Sequence, residues 1–163
     1  MNIEELYLEA EADIKNNAYV EAYKKYESML YEEPNYAPAH NSMGWLLKNQ
    51  FDDLEKAENH FLAAIKYSPL YPHPYFHYAV LLTDMERYKE LEKHIDKCMK
   101  VSTIEKSWVH ARRGILKELQ LQFDEAIKSY ETAILTTLSD EKIKDYKADI
   151  ERCKTKIELQ QKK

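Results

Sequence analysis

Two histidines in this sequence have the spacing that a metal site on a helix would need. His73 and His77 are four residues apart, so a helix would place both imidazoles on one face, where they could act as metal ligands. His110 is the candidate for a third ligand, but no HExxH motif surrounds the pair. In the alternative that we favour, the segment from Pro72 to His77 opens a helix whose polar side faces a groove. We therefore predict no metal site.

The other residue types that carry catalysis do not form a motif. The two glycines, Gly44 and Gly114, are 70 positions apart, so they cannot build a glycine-rich phosphate loop or a GxSxG turn. Cys98 and Cys153 lack the spacing of a zinc ribbon or a disulfide scaffold, and we expect both to stay reduced. Adjacent carboxylates point apart on a helix and are expected to be solvated. These pairs are Glu4/Glu5, Glu32/Glu33 and Asp52/Asp53. We predict no enzymatic activity and no cofactor.

The composition favours a single helical domain covering 1–163. Residues of hydrophobic type make up 44% of the chain, charged residues 33%, and the mean hydropathy is -0.70. No signal peptide and no apolar run of about 18 residues is present, so we expect a cytoplasmic protein without membrane insertion. Residues 1–72 hold 6 basic and 13 acidic side chains, and residues 73–163 hold 18 and 16. The acidic first half argues against a nucleic-acid partner.

The sequence repeats itself about every 35 residues. Gly44 and Gly114 are separated by twice this period, and Pro34 and Pro69 by one period. A small or aliphatic residue recurs in phase and is followed four positions later by a bulky one. The first set is Ala22, Ala57, Leu91 and Ala126, and the second is Tyr26, Phe61, Ile95 and Tyr130. This pattern indicates four structural units.

Each unit is expected to form two antiparallel helices. The apolar spacing predicts helices near 3–16 and 19–33, 72–85 and 88–101, and 107–120 and 123–137. In 37–71, the first helix is predicted to start after Pro38, and Pro69 to end the second. A small residue is needed where the two helices cross, because Gly44 lets the partner backbone approach more closely than a leucine would. The bulky residue of the second helix then fills the remaining volume.

The repeat resembles the tetratricopeptide repeat (TPR) family. The best matches run from Gly44 through Ala57, Phe61 and Ala64 to Pro69, and from Gly114 through Phe123-Asp124-Glu125-Ala126 to Tyr130 and Ala133. The resemblance implies an all-α, right-handed superhelical solenoid with repeats at about 3–36, 37–71, 72–106 and 107–140. Leu91 and Thr103 depart from the alanine and proline of the pattern, which predicts altered packing of the third unit. An extra residue near Phe51 lengthens the turn in the second unit.

The segment after the last repeat is predicted to form a capping helix at about 141–161. Its apolar residues follow a 3,4,3,4 spacing on one stripe, and a solenoid needs a cap with a polar outer face. They are Ile143, Tyr146, Ile150, Cys153 and Ile157. The competing interpretation is a dimerising coiled coil, but the stripe lasts barely two and a half heptads, short of the usual three to four.

The resemblance also implies a concave groove lined by the first helix of each unit. In this family, the second, fifth, ninth, twelfth and thirteenth positions of a unit typically face the groove. Counting from Ile3, Ala37, Pro72 and Ser107 gives the candidate binding residues Tyr7, Glu11, Asn41, Trp45, Lys48, His73, Phe76, Val80, Trp108 and Ile115. The same counting adds Ile14, Lys15, Asn49, Thr83, Asp84, Ala111 and Glu118.

Both tryptophans fall on the predicted wall and outside the scaffold phase. Trp45 and Trp108 suit interface anchors, although either could instead pack between adjacent repeats. Tyr7 and Glu11 stand where some TPR proteins place Lys, Asn or Arg to clamp a terminal carboxylate, so an anionic ligand is not favoured. We expect a non-enzymatic module that binds a peptide or helical segment of another protein, apolar or aromatic and carrying basic residues. The alternative is a scaffold that self-associates through the C-terminal helix or the groove.

Overall fold

A computed structural model describes residues 2–162, which form nine α-helices. The helices are α1 (Ile3–Lys15), α2 (Tyr19–Glu32), α3 (Ala37–Asn49), α4 (Leu54–Tyr67), α5 (His73–Asp84), α6 (Tyr88–Met99), α7 (Lys106–Leu119), α8 (Phe123–Thr136) and α9 (Asp140–Gln161). The chain divides into two compact units, Met1–Asp84 (unit 1) and Met85–Lys163 (unit 2). The boundary falls inside the third predicted repeat, and the prediction of a single domain over 1–163 stays a prediction.

Polar side chains cap several helices at the residues where the apolar pattern begins. Asn2 accepts a hydrogen bond from the Glu4 amide at 3.0 Å, and Glu5 accepts one from the Asn2 amide at 3.3 Å, forming a capping box. Asp53 and Ser139 cap α4 and α9 by accepting an amide hydrogen bond in the first turn. These caps satisfy amides that have no partner within the helix.

The predicted helix bounds lie within two residues of the observed ones. The prediction that the helix begins after Pro38 was wrong, because α3 begins at Ala37 and Pro38 occupies its first turn. Proline is tolerated there, since the amide that it lacks would have no helical acceptor. Pro69 follows the end of α4 at Tyr67, as the sequence predicts.

The short connections within the predicted repeats share one backbone feature. Each contains a single non-glycine residue in the left-handed region, with φ between 52° and 62°. These residues are Asn17, Asp52, Glu86 and Leu121. The connection from Asn49 to Leu54 is one residue longer than the others, which confirms the extra residue near Phe51.

In unit 1, the small and bulky residues of the repeat pattern form the core. Ala22, Tyr26, Ala57 and Phe61 are completely buried, and the ring of Phe61 lies against Gly44. Consecutive helices from α1 to α5 pack on one another. Residues of α1, α3 and α5 thereby line one common cavity, where the candidate site lies.

In unit 2, α7, α8 and α9 form one hydrophobic cluster. Ala126, Tyr130 and Ala133 are completely buried, and Ile150 and Cys153 of α9 close the cluster from the other side. Tyr146 and Ile157 pack against its edge. Four residues of the apolar stripe of α9 thus pack on α7 and α8, as a capping helix would, and the role of α9 as a cap stays a prediction. Within residues 2–162, no helix is long and apolar enough to cross a lipid bilayer.

Candidate functional site

Unit 1 contains a cavity of about 340 Å³ that is lined mainly by α1, α3 and α5, the first helices of three predicted repeats. Its wall is formed by Tyr7, Glu11 and Ile14 of α1, Tyr26 of α2, Asn41, Ser42 and Trp45 of α3, and Tyr71, His73 and His77 in and before α5. Five predicted binding residues are thereby brought together, namely Tyr7, Glu11, Asn41, Trp45 and His73. Their part in binding stays a prediction.

A directed chain of hydrogen bonds crosses one end of the cavity. Ser42 donates to Glu11 Oε1 at 2.7 Å, and Tyr26 donates to the same oxygen at 2.5 Å. Because the only proton of the Ser42 hydroxyl is used in this way, Tyr7 donates to Ser42 Oγ, at 3.1 Å. The carboxylate of Glu11 thus collects the donors of three neighbours, directly or through Ser42. It connects α1, α2 and α3.

Tyrosine rings form the apolar part of this end. The rings of Tyr7 and Tyr26 lie 6.1 Å apart, and Tyr36 meets Tyr7 edge-on at 5.9 Å. Burial is the main cause that raises the pKa of Tyr7 and of Tyr26, and the nearby Glu11 raises both further. Both hydroxyls therefore stay protonated and keep donating throughout the physiological pH range.

The middle of the cavity wall combines a buried amide with two large aromatic side chains. Asn41 is only 7% exposed, whereas Trp45 is half-buried and faces the cavity. Burial raises the pKa of Tyr71, and a hydrogen bond from the Asn41 amide acts in the opposite direction. The Asn41 Oδ1 atom is buried and has no hydrogen-bond partner among the described residues. A buried acceptor without a donor is destabilising, so a donor from a ligand that reached it would be favoured.

Three further predicted binding residues of unit 1 do not line this cavity. The Lys48 ammonium is largely buried and forms an ion pair with Asp84 at 2.6 Å, so it joins α3 to α5. Phe76 is half-buried and meets the His73 ring edge-on at 6.2 Å. Val80 is also half-buried. Their part in binding stays a prediction.

The predicted binding residues of unit 2 have other neighbours. The Arg112 guanidinium lies over the Trp108 ring, 5.4 Å from its centre. Ile115 packs against the hydrophobic cluster beneath α9. Glu118, which the counting also placed on the wall, is 7% exposed and binds Arg152, Lys156 and Tyr130. A role of Trp108 and Ile115 in binding stays a prediction, while Glu118 is engaged inside its own unit.

The histidines are arranged differently from a metal site. His77 stacks on Phe61 at 5.6 Å, and its pKa is lowered by burial, His73 and Lys48. A pair that the sequence analysis did not identify, His40 and His60, has its Nδ1 atoms 2.9 Å apart. Within the described residues, no group of three or more His, Cys, Asp or Glu side chains could hold a metal ion.

Sequence reasoning missed four residues of the cavity wall. Tyr26 was assigned to the scaffold, and it serves both roles because its ring is in the core while its hydroxyl reaches Glu11. Ser42 lies next to a predicted groove position, and a small polar residue there is the signal that could have identified it. Tyr71 precedes α5, so counting over first helices alone excludes it. His77 was considered as a metal ligand and as part of a helix whose polar side faces a groove, but it is not one of the counted groove positions.

Several solved structures have the same fold as this chain. A thermophilic TPR protein from Thermus thermophilus is 14% identical, with 92% of this chain and 82% of that chain covered and a TM-score of 0.72. A TPR protein from Parabacteroides merdae is 18% identical, with 97% and 64% covered and a TM-score of 0.75. MamA from Desulfovibrio magneticus is 14% identical, with 99% and 96% covered and a TM-score of 0.69. No protein-family model and no curated protein matches the sequence.

Proposed function

Because this chain has the tetratricopeptide repeat fold, we propose that it is a non-enzymatic protein-interaction module that binds a peptide or helical segment of a partner in the cavity of unit 1. A fold alone does not determine function, so the proposal depends on the site. The observation that carries it is that Tyr7 and Trp45 are only half-buried and line a concave surface instead of filling the core.

The size and chemistry of the cavity suit side chains of a partner protein. Its volume of about 340 Å³ is at the lower end of the ligand-site range of about 300–1,000 Å³, enough for a few side chains. Trp45 offers a large rigid surface, and tryptophan and tyrosine are enriched among residues that dominate binding energy. Glu11 and Asn41 add acceptors that fix the orientation of a bound group. We propose Trp108 of unit 2 as a further anchor.

A selection from a random peptide library on the folded protein tests this proposal. We expect enriched peptides to bind the wild type and to lose affinity for Trp45→Ala, with the fold of the variant checked by circular dichroism. Val20→Ala is a matched control, because Val20 is 52% exposed on α2 and does not line the cavity. Peptides that bind Trp45→Ala as tightly as the wild type would exclude the cavity as the binding site.

Self-association through the C-terminal helix is the competing proposal, and it has less support. The apolar stripe of α9 is packed against the core of unit 2, so it is not available as a coiled-coil seam. Sedimentation equilibrium over a range of concentrations measures the outcome. We expect a monomer, and a dimer that dissociates on Trp45→Ala would instead favour self-assembly through the groove.

A further inference from the structure

In the first and the fourth predicted repeat, a glutamate of the first helix accepts a hydrogen bond from a buried tyrosine of the second helix. Tyr26 of α2 donates to Glu11 of α1, and Tyr130 of α8 donates to Glu118 of α7. The two tyrosines occupy the same place in the repeat pattern, and both are completely buried. The surroundings of the two carboxylates can therefore be compared directly within one protein.

In unit 2, positive charge from α9 neutralises the carboxylate. Arg152 donates to both oxygens of Glu118, from Nε at 2.7 Å and from Nη2 at 2.6 Å. Lys156 adds a third bond at 2.6 Å. A glutamate that is 7% exposed thus has a bidentate guanidinium and an ammonium as partners. Hydrogen bonds from Arg152 and Lys156 help to lower the pKa of Glu118 to about 2.

Among residues 2–84, no cation pairs with the corresponding carboxylate of unit 1, that of Glu11. Both hydrogen bonds that Glu11 accepts end on Oε1, and among the described residues no Lys, Arg or His forms an ion pair with it. Lys25 is engaged by Glu9 at 3.3 Å and Asp13 at 2.7 Å. Glu11 lines the cavity, and the described residues that bond to its carboxylate are uncharged donors.

A second acceptor on the same wall, the side-chain oxygen of Asn41, lacks a donor among the described residues. The Oδ1 atom of Asn41 is buried and unpaired within the described part of the chain, and Asn41 as a whole is more than nine-tenths buried. Tyr7 and Trp45 also line the cavity and add aromatic side chains to these surroundings. Carboxylate, amide oxygen and aromatic faces all attract a cation that carries N–H donors.

We infer that the cavity of unit 1 binds an arginine side chain of the partner protein, with Glu11 as its counter-charge and Asn41 as a further acceptor. The inference rests on the proposed function and specifies the partner of that site. Unit 1 contains six Lys, no Arg and fourteen Asp or Glu, so the surroundings of the cavity also favour a cationic partner.

Guanidinium fits these groups better than ammonium. It has five N–H donors in a plane, so one side chain can serve two separate acceptors and stack on an aromatic face. It is also more weakly hydrated than ammonium, which lowers the cost of entering a partly enclosed cavity. The bidentate contact of Arg152 with Glu118 shows the geometry that this chain itself uses for the purpose.

A titration with blocked amino acids tests the inference without a known partner. The probes are N-acetyl-arginine amide, N-acetyl-lysine amide and the neutral isostere N-acetyl-citrulline amide, and the readout is the indole N–H resonance of Trp45 in an NMR spectrum. We expect a saturable shift with the arginine probe, with affinity about tenfold higher than for citrulline. Three outcomes would overturn the arginine site. They are equal affinities for the arginine and citrulline probes, tighter binding of the lysine probe, and no saturable shift up to the solubility limit.

Matched charge variants locate the counter-charge. Glu11→Gln keeps an oxygen that can accept from Tyr26 and Ser42 but removes the negative charge, so we expect folding to persist and the preference for arginine over citrulline to vanish. Glu9→Gln removes one negative charge from the same helix outside the cavity and should leave the preference intact. An unchanged preference in Glu11→Gln contradicts the assignment.

The peptide selection separates this inference from the proposed function. Enriched peptides without a basic residue that still shift the Trp45 resonance would overturn the arginine site and leave the interaction module intact. Failure of every peptide and every probe would overturn both. A third outcome is that the Trp45 resonance broadens with protein concentration in the absence of any probe, and that Glu11→Gln abolishes the broadening. This would show that a second copy of this chain supplies the cation. It would overturn the assignment to another protein.

Discussion

A β-carbon added to Gly44 would lie 2.6 Å from Cε1 of Phe61, closer than side-chain carbons approach one another in folded proteins. Phe61 is completely buried, so its ring cannot turn into solvent to make room. The same contact recurs in unit 2, where a β-carbon on Gly114 would lie 2.7 Å from Cε1 of Tyr130. The chain places its only two glycines where a first helix crosses a bulky residue of the second helix.

Gly44→Ala is expected to destabilise the protein, although alanine is the better helix former. Helix propensity favours alanine by about 1 kcal/mol, whereas overpacking a core costs about 1–3 kcal/mol, so we expect a net loss of about 1 kcal/mol. Urea denaturation followed by circular dichroism measures it. Phe61→Leu in the same chain should recover part of the loss, and additive effects of the two changes would contradict the contact.

The sequence predicts the helices well because their determinants are local and periodic. The apolar spacing, the prolines and the two glycines identify eight paired helices and a ninth after them, and each predicted bound lies within two residues of the structure. Position counting finds Tyr7, Glu11, Asn41, Trp45 and His73 on one cavity. It fails for Glu118, because its ion pairs with Arg152 and Lys156 depend on how α9 packs, which no single-helix pattern contains.

Leu121→Gly is expected to stabilise the protein. Leu121 has a φ of 62°, and this left-handed conformation costs a residue with a β-carbon about 1–2 kcal/mol. The conformation is required because the next amide, that of Gln122, bonds to the Lys117 carbonyl at 2.9 Å and ends α7. Since the leucine is 65% exposed, little burial is lost, and we expect a gain of about 0.5–1 kcal/mol.

Asn17→Gly is the control for this prediction. Asn17 has the corresponding conformation at the end of α1, with a φ of 59°, but asparagine tolerates it. We expect a change of less than about 0.5 kcal/mol in the free energy of unfolding. A loss of stability for Leu121→Gly would show that the packing of the leucine outweighs its backbone strain.

Glu118→Gln is expected to remove an acid-sensitive part of the stability. The pKa of Glu118 is lowered to about 2 by hydrogen bonds from Arg152, Lys156 and Tyr130. A carboxyl with a lowered pKa stabilises the fold above its unfolded pKa, and this stability is lost as the pH falls from about 4.5 towards 2. Because Arg152 and Lys156 are partly exposed, we discount the effect to about 1–3 kcal/mol at pH 7.

The pH dependence of denaturation distinguishes this role from a general loss of packing. The stability difference between wild type and Glu118→Gln should shrink as the pH falls below about 4.5. Glu151→Gln, at an exposed ion pair with Lys154 on the same helix as Arg152, should change stability by less than about 0.5 kcal/mol. A constant difference across the pH range would contradict the ionic role.

The His40 and His60 pair is expected to make stability fall between pH 7 and 5. His40 Nε2 donates to the Pro34 carbonyl at 2.9 Å, so its Nδ1 is left to accept from His60. Burial and His40 lower the pKa of His60 to about 4. A histidine with a lowered pKa takes up its proton first in the unfolded state, so stability is complete above about pH 6.5 and is lost as the pH falls towards 4.

His60→Gln tests this pair, since glutamine can still donate to His40 Nδ1 but does not titrate. Relative to the variant, we expect the wild type to lose about 1–2 kcal/mol more free energy of unfolding between pH 7.5 and pH 5, measured by denaturation at each pH. Parallel pH profiles for the two proteins would mean that His60 is protonated in the folded state as readily as in the unfolded chain.

Trp45→Ala is expected to weaken binding more than it weakens folding. Trp45 is half-buried and lines the cavity, whereas truncation of a tryptophan in a packed core typically costs about 3–5 kcal/mol of stability. We expect a loss of stability below that range and a loss of about 2 kcal/mol or more in the affinity of a selected peptide, measured by fluorescence anisotropy. In unit 2, the same two measurements on Trp108→Ala distinguish whether the contact of Trp108 with Arg112 supports folding or binding. If Trp45→Ala unfolds readily while its folded fraction binds the peptide as the wild type does, Trp45 belongs to the scaffold and the cavity is not the binding site.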